Sequence, residues 1–184
     1  MDILVTGSRA WLTYDPHGKV IEQTLVDLAS PTPHKDITVH HGGAGGADLM
    51  AGEACNRQGI NTKVWPADWP KHGPRAGVIR NHQMLQFGPP FNSIVAFWDR
   101  YSKGTLHMIA SSIDQGNTVL IVYPWNTEYG DEYFEKEVIT NTFELMVIAN
   151  RHKMHEPESR IVVSTNDSEN PWNLEDIDAE IEES

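Results

Sequence analysis

Residues His40 to Asp48 read His-His-Gly-Gly-Ala-Gly-Gly-Ala-Asp, with four glycines in the five positions 42–46. Such a run removes the Cβ atoms that hold a ligand away from the backbone. It follows a β-branched stretch, Asp36-Ile37-Thr38-Val39, and precedes a helix-compatible one, Leu49 to Asn56. Strand, glycine loop, helix is the layout that turns backbone N–H groups toward an anion, although a plain solvent turn has the same composition. On the first reading, the loop formed by Gly42, Gly43, Ala44, Gly45 and Gly46 holds a phosphoryl group on the amides of residues 43–47. Asp48 then either accepts from a ribose hydroxyl or caps the helix, since Asp suits both tasks.

Three further polar clusters stand at comparable places. Gly7-Ser8-Arg9 follows an apolar run, and Arg9 supplies a planar fork suited to phosphate or carboxylate. Asp68 and Trp69 follow a third run; Trp69 could stack on a base or lie over the core as a lid. Asp99, Arg100, Lys103, Gly104 and Thr105 follow a fourth, with Gly104 and Thr105 at a second helix N-terminus where amides face a ligand. His40, His41, His72, His82 and His107 show no i, i+4 pair with an intervening carboxylate, so no metal is expected. The Gly-x-x-x-x-Gly-Lys-Ser/Thr loop of P-loop NTPases is absent, and the glycine run lacks Gly-x-Gly-x-x-Gly spacing.

The elements that must carry these clusters alternate. Apolar runs at 2–6, 36–40, 60–65, 93–98 and 118–122 predict five strands. Spacings of three and four predict helices over 17–29, about 46–58, about 75–87 and a stretch after Lys103 carrying Leu106, Ile109, Ala110 and Ile113. Gly59 closes the second of these helices, and Ser30-Pro31-Thr32-Pro33 stops the first. The run Ser93-Ile94-Val95-Ala96-Phe97-Trp98 is the kind buried on both faces of a parallel sheet. Strand and helix in alternation imply an α/β fold: a doubly wound, mostly parallel five-stranded sheet with helices on both faces and right-handed crossovers. In such a sheet all four clusters fall along the edge where the strands end, which is where ligands bind.

After Pro124 the pattern changes. The apolar residues Tyr133, Phe134, Val138, Phe143, Met146 and Val147 predict a helix over 131–150, and Arg160 to Thr165 a short extra strand. Residues 165–184 hold eight acids and no Lys or Arg, and from Asn166 the chain reads as a disordered tail. The expected organisation is a ligand-binding domain over 1–124, a C-terminal helical extension over 125–165 and the acidic tail over 166–184. The chain of 184 residues carries a net charge of −12, of which the tail holds eight, leaving 18 acids against 14 bases elsewhere. That balance argues against a nucleic-acid partner, which needs a basic face. With no leader-like segment and no long apolar stretch, the protein is expected to be cytoplasmic and to have no membrane partner. The lone Cys55 excludes an intrachain disulfide and reads as a small packing residue.

Taken together, Gly7-Ser8-Arg9, His41-Gly42-Gly43-Ala44-x-Gly46-Ala47-Asp48, Pro66-Ala67-Asp68-Trp69, Gly77-Val78-Ile79-Arg80-Asn81-x-x-Met84 and Lys103-Gly104-Thr105 resemble the small bacterial and phage branch of the SLOG superfamily, in matching order over residues 2–122. The resemblance implies a Rossmann-like fold and a nucleotide or nucleotide-derived ligand. The superfamily also includes the lysine-decarboxylase-like phosphoribohydrolases and the DNA-processing protein A family. By the resemblance Arg80 and Asn81 join the site, and homo-oligomerisation is expected. The phosphoribohydrolases carry Pro-Gly-Gly-x-Gly-Thr-x-x-Glu, and here Met108 stands at the Glu position. A thioether cannot serve as general acid or base, which leaves Asp99 or Asp68 as substitutes.

The leading expectation is therefore a sensor or sponge that binds a phosphorylated nucleoside or an NAD- or ADP-ribose-like signal, needs no cofactor and leans away from being an enzyme. A hydrolase of nucleotide N-glycosidic bonds is the alternative, and a single-strand DNA-binding module is the third reading.

Overall fold

The computed structural model describes residues 1–11, 16–126 and 132–151. Strands β1 (Asp2–Gly7), β2 (Thr38–His41), β3 (Asn61–Val64), β4 (Ser93–Phe97), β5 (Val119–Asn126) and β6 (Glu132–Ile139) form one sheet. Its order is β3-β2-β1-β4-β5-β6. The first five strands pair in parallel, and β6 runs antiparallel to β5. The helices are α1 (His17–Ala29), α2 (Ala47–Gln58), the short α3 (Trp69–His72), α4 (Ala76–Phe87), α5 (Lys103–Asp114) and α6 (Thr142–Arg151). No helix among the described residues is long and apolar enough to cross a membrane.

Strand side chains alternate between faces, and both sets are buried in the middle of this sheet. Ile3 and Val5 join Ile21 and Leu25 of α1 and Ala51, Ala54 and Cys55 of α2 in one core cluster. Leu4, Ile94, Ala96 and Ile121 alternate with that set and are also fully or almost fully buried. There α5 packs on β1, β4 and β5, beside α4. Continuous apolar runs such as Ile94 to Trp98 arise because neither face meets water. Burial pushes the Cys55 thiol up to about 12, which suits packing rather than reactivity. β3 is the exception: all four residues are exposed, as befits an edge strand.

The sheet has six strands where five were expected, because residues 132–139 are not helical. Phe134 and Val138 lie four apart, which fits a helical face. Four is also an even number, so the same spacing puts both on one face of a strand. The eight-residue β5 leaves an open edge, and β6 pairs along all of it, from Val119↔Ile139 to Asn126↔Glu132. On the face that holds the main core cluster, Phe134 packs against that cluster. On the opposite face, the Tyr123 hydroxyl donates to Glu135 at 2.5 Å and also reaches Glu137. The first compact unit therefore runs through Asn141, and only α6 retains the expected helix. Taken by itself, α6 is a ten-residue amphipathic helix. The strand expected at 160–165 and the acidic tail lie outside the described residues.

One crossover depends on glycine. Gly46, at φ 73° and ψ −129°, adopts a conformation open essentially to glycine alone. A Cβ there would stand 2.4 Å from the Ser8 carbonyl oxygen and 2.5 Å from that of Arg9. Gly45, by contrast, has open space around its Cβ position. Gly46→Ala should therefore lower unfolding stability by about 2–4 kcal/mol, combining backbone strain with overpacking. Gly45→Ala should change it by less than about 0.5 kcal/mol. Urea melts of the two variants against the parent measure the difference, and equal losses would contradict this account of the turn.

Candidate functional site

Strand order reverses between β1 and β4, since β2 lies to one side of β1 and β5 to the far side of β4. In an open α/β sheet this is the position of the ligand crevice. A crevice of about 620 Å³ opens there, lined by loop residues that follow β1 and β4 and by α4. A second lobe of about 440 Å³ adjoins it over the glycine loop. Arg9, Ala44, Trp69 and Arg80 line both.

Of the residues singled out in the sequence, Gly7, Arg9, Ala44, Asp48, Trp69, Arg80, Asn81, Gly104 and Thr105 face the larger lobe. Gly42, Gly43 and Gly45 face the smaller one. Ser8, Gly46, Asp68, Arg100 and Lys103 line neither. Ser8 is fully buried and acts as a tie between loops. Its Oγ accepts from the Asp99 amide at 3.1 Å, and its carbonyl accepts from the amides of Trp11 and Ala47. Gly46 makes the close approach to that same turn described above. Asp68 caps α3 by accepting from the Lys71 amide at 3.1 Å, and Lys103 is exposed on the first turn of α5.

The glycine loop is not the open array of donors its composition suggests. Asp48 Oδ2 accepts from the amides of Gly42 at 3.0 Å and Ala44 at 3.3 Å. The Gly43 amide donates to His41 Nδ1 at 3.2 Å, so that nitrogen carries no proton. Burial, then the neighbouring Arg80, pushes His41 below its ordinary value. Asp48 therefore neither caps α2 in the usual way, the N-cap position being Gly46, nor stands free. Its carboxylate occupies the hollow of the loop, with only the loop tip at Gly45 and Gly46 left out of this set.

Arg80 answers that charge. Its guanidinium lies against Gly42, where a Cβ would fall 1.2 Å from Nη1. Nη1 donates to the Trp65 carbonyl at 3.0 Å and Nε to Asn81 Oδ1 at 2.9 Å. Asn81 Nδ2 in turn donates to the Gly104 carbonyl at 3.4 Å. Arg80 and Asn81 are 9% and 6% exposed. They join the end of β3 to the start of α5. Burial lowers Arg80, while the Asp48 charge opposes that shift. For Asp48 burial wins: it raises the carboxyl to about 6 against the attraction of Arg80, the loop amides and Arg9.

The opposite wall repeats the device. Asp99 Oδ1 accepts from the amides of Tyr101 at 2.9 Å and Ser102 at 2.8 Å. The turn between them holds Arg100 at φ 68°, a left-handed conformation uncommon outside glycine. Ser102 caps α5, its Oγ accepting from the Thr105 amide at 3.4 Å. Asp99, Tyr101 and Ser102 line the crevice beside Gly77 and Val78 of α4. The sequence marked Asp99 as part of a polar cluster, but nothing in its spacing distinguished Ser102 or Tyr101. At the mouth, the Arg9 guanidinium lies 5.2 Å from the centre of the Trp69 ring, which is 45% exposed. Met108, at the position of the phosphoribohydrolase Glu, is fully buried on α5 and lines neither lobe.

The family described as YAcAr, the YspA, cpYpsA-related SLOG family, matches residues 1–72. The chain is 32% identical over 123 residues to the "Gene 61 protein" of Mycobacterium phage D29, covering 64% of this chain and 93% of that protein. No solved structure matches the chain.

The raised Asp48 gives a stability test of the site's electrostatics. Its folded value of about 6 lies above the ordinary 3.8. The folded state therefore holds the proton more tightly than the unfolded chain. The associated stability is complete below about pH 4 and is lost as pH rises through about 6. Asp48→Asn, which keeps the acceptor but not the charge, should be more stable than the parent by about 1–3 kcal/mol at pH 7–8. The gap should close toward pH 4. Denaturant melts across that range check it, and a pH-independent gap would show that Asp48 ionises at its ordinary value.

Proposed function

We propose that this chain, which belongs to the SLOG superfamily, binds a nucleotide or nucleotide-derived small molecule in the crevice where strand order reverses. The ligand class is a phosphorylated nucleoside or an NAD- or ADP-ribose-like signal, and the role is that of a sensor or sponge. The observation that carries the reading is the convergence of a buried guanidinium, Arg80, an exposed one, Arg9, and an exposed indole, Trp69, on one crevice at the strand ends. Cationic forks suit phosphoryl oxygens and a ring face suits a base. A volume of several hundred Å³ lies within the range of small-molecule sites.

A second reading, cleavage of a nucleotide N-glycosidic bond, is favoured by one observation. Asp48 is a buried crevice carboxyl whose proton affinity is poised near neutrality, at about 6, as acid–base catalysis requires. Finding no free base after hours of incubation with nucleoside monophosphates or NAD would set that reading aside. A nucleic-acid role finds no support in the charge balance, and a gel shift at low salt tests it. A homo-oligomeric state belongs to the same proposal and is measurable by light scattering.

Calorimetric titration of the full chain with nucleoside monophosphates, cyclic nucleotides, NAD and ADP-ribose should give saturable binding to at least one member. Trp69→Ala should weaken that binding about 10- to 100-fold through loss of stacking, the usual yield of one base on an aromatic ring. Trp69 is half-exposed, so the fold should survive the change. Absence of saturable binding across the panel would refute the proposal.

A further inference from the structure

We propose that Asp48 is the hydroxyl acceptor of this crevice, so that the glycine loop meets the ribose-type diol of the ligand and not its phosphoryl group. The inference rests on the nucleotide reading above and specifies which end of the ligand lies where.

Three observations lead to it. First, the hollow of the glycine loop already holds an anion. Asp48 Oδ2 takes the amides of Gly42 and Ala44, and His41 Nδ1 takes that of Gly43. A phosphoryl group entering there would meet a carboxylate where donors were expected. Second, the other oxygen of the same carboxylate is unspent. Asp48 is 4% exposed, and its Oδ1 is buried without a hydrogen-bond partner among the described residues. A buried carboxylate oxygen left unsatisfied is costly in an isolated fold. Asp48 is one of the residues that line the crevice, so a donor brought by the ligand would satisfy it. Third, the Asp48 charge is partly offset, because the Arg80 guanidinium lies against Gly42 of the same loop. A partly offset carboxylate with a spare acceptor suits a neutral donor, and the ribose hydroxyls are the neutral donors that every ribonucleotide shares whatever its base. The phosphoryl end then has Arg9 and the first turn of α5 at Gly104, which line the same lobe.

Asp48→Asn separates the two jobs of the carboxylate. The amide oxygen can still accept from Gly42 and Ala44, while the amide nitrogen would present a donor in place of Oδ1.

The test compares the four ribonucleoside monophosphates, and ADP-ribose, with the 2′,3′-dideoxy counterparts of the four monophosphates, by titration of the full chain. Among the monophosphates, the parent protein should bind the ribose form about 10- to 100-fold tighter than its dideoxy partner, the usual yield of one hydrogen bond to a charged group. Asp48→Asn should lower affinity for the ribose form and bring the two within about 3-fold, its fold being checked by circular dichroism. Equal affinity of the two series for the parent protein, which needs no variant, would overturn this assignment and leave the crevice reading standing. No binding of either series or of ADP-ribose would overturn both. A second measurement addresses the loop alone. Inorganic phosphate should leave the Gly42 and Ala44 amide resonances unmoved in NMR spectra; saturable shifts of those two would make the loop a phosphate site and end the proposal.

Discussion

The carboxylate of Asp48 lies in the loop that precedes its own helix, bonded to the amides of Gly42 and Ala44, and the Arg80 guanidinium lies against Gly42 of the same loop. Neither charge could be buried alone, since an isolated ionised group in the interior is driven toward its neutral form. Together they fix the loop and account for its composition. Gly42 must lack a Cβ because a guanidinium stands where that atom would be. The balance is incomplete, as the raised Asp48 carboxyl indicates. Keeping an under-satisfied acid in a crevice wall costs the fold some of its own stability at neutral pH.

The rest of the crevice is held by bonds that join one loop to the next. Ser8 ties the turn after β1 to the turn after β4 through Asp99 and to the start of α2 through Ala47. Trp98 adds a bond from its indole N–H to the Ser102 carbonyl at 3.1 Å. Arg80 and Asn81 carry the connection on to Trp65 and Gly104. Few donors or acceptors in these walls await rearrangement. Preorganisation of that kind lowers the entropic cost of capturing a small ligand, and it suits a binding role as readily as a catalytic one.

The five parallel strands were legible in the sequence because a parallel sheet covered on both faces produces apolar runs with helices between them. The sixth strand was not, since Phe134 and Val138 satisfy the helical and the strand period alike, and only the open edge of β5 selects between them. The convergence of the loops was legible through their order along the chain, which parallel pairing carries onto one edge of the sheet. What spacing could not reveal was which polar groups are already engaged. Ser8 and Asp68 have side chains suited to a ligand, yet they hold backbone amides. The amides of the glycine loop looked open and are mostly taken. Hydrogen-bond partners are chosen by three-dimensional closure, which the residue order of a loop does not encode.

The central claim is that this crevice selects a phosphorylated, ribose-bearing small molecule. Its most direct test is equilibrium dialysis of the full chain against a small-molecule extract of bacterial cells, with retained compounds identified by mass spectrometry. The account predicts retention of compounds that carry both a phosphoryl group and a ribose-type diol, and their loss when Trp69→Ala replaces the parent chain. Retention of compounds lacking either group, or an unaltered set with the variant, would contradict it.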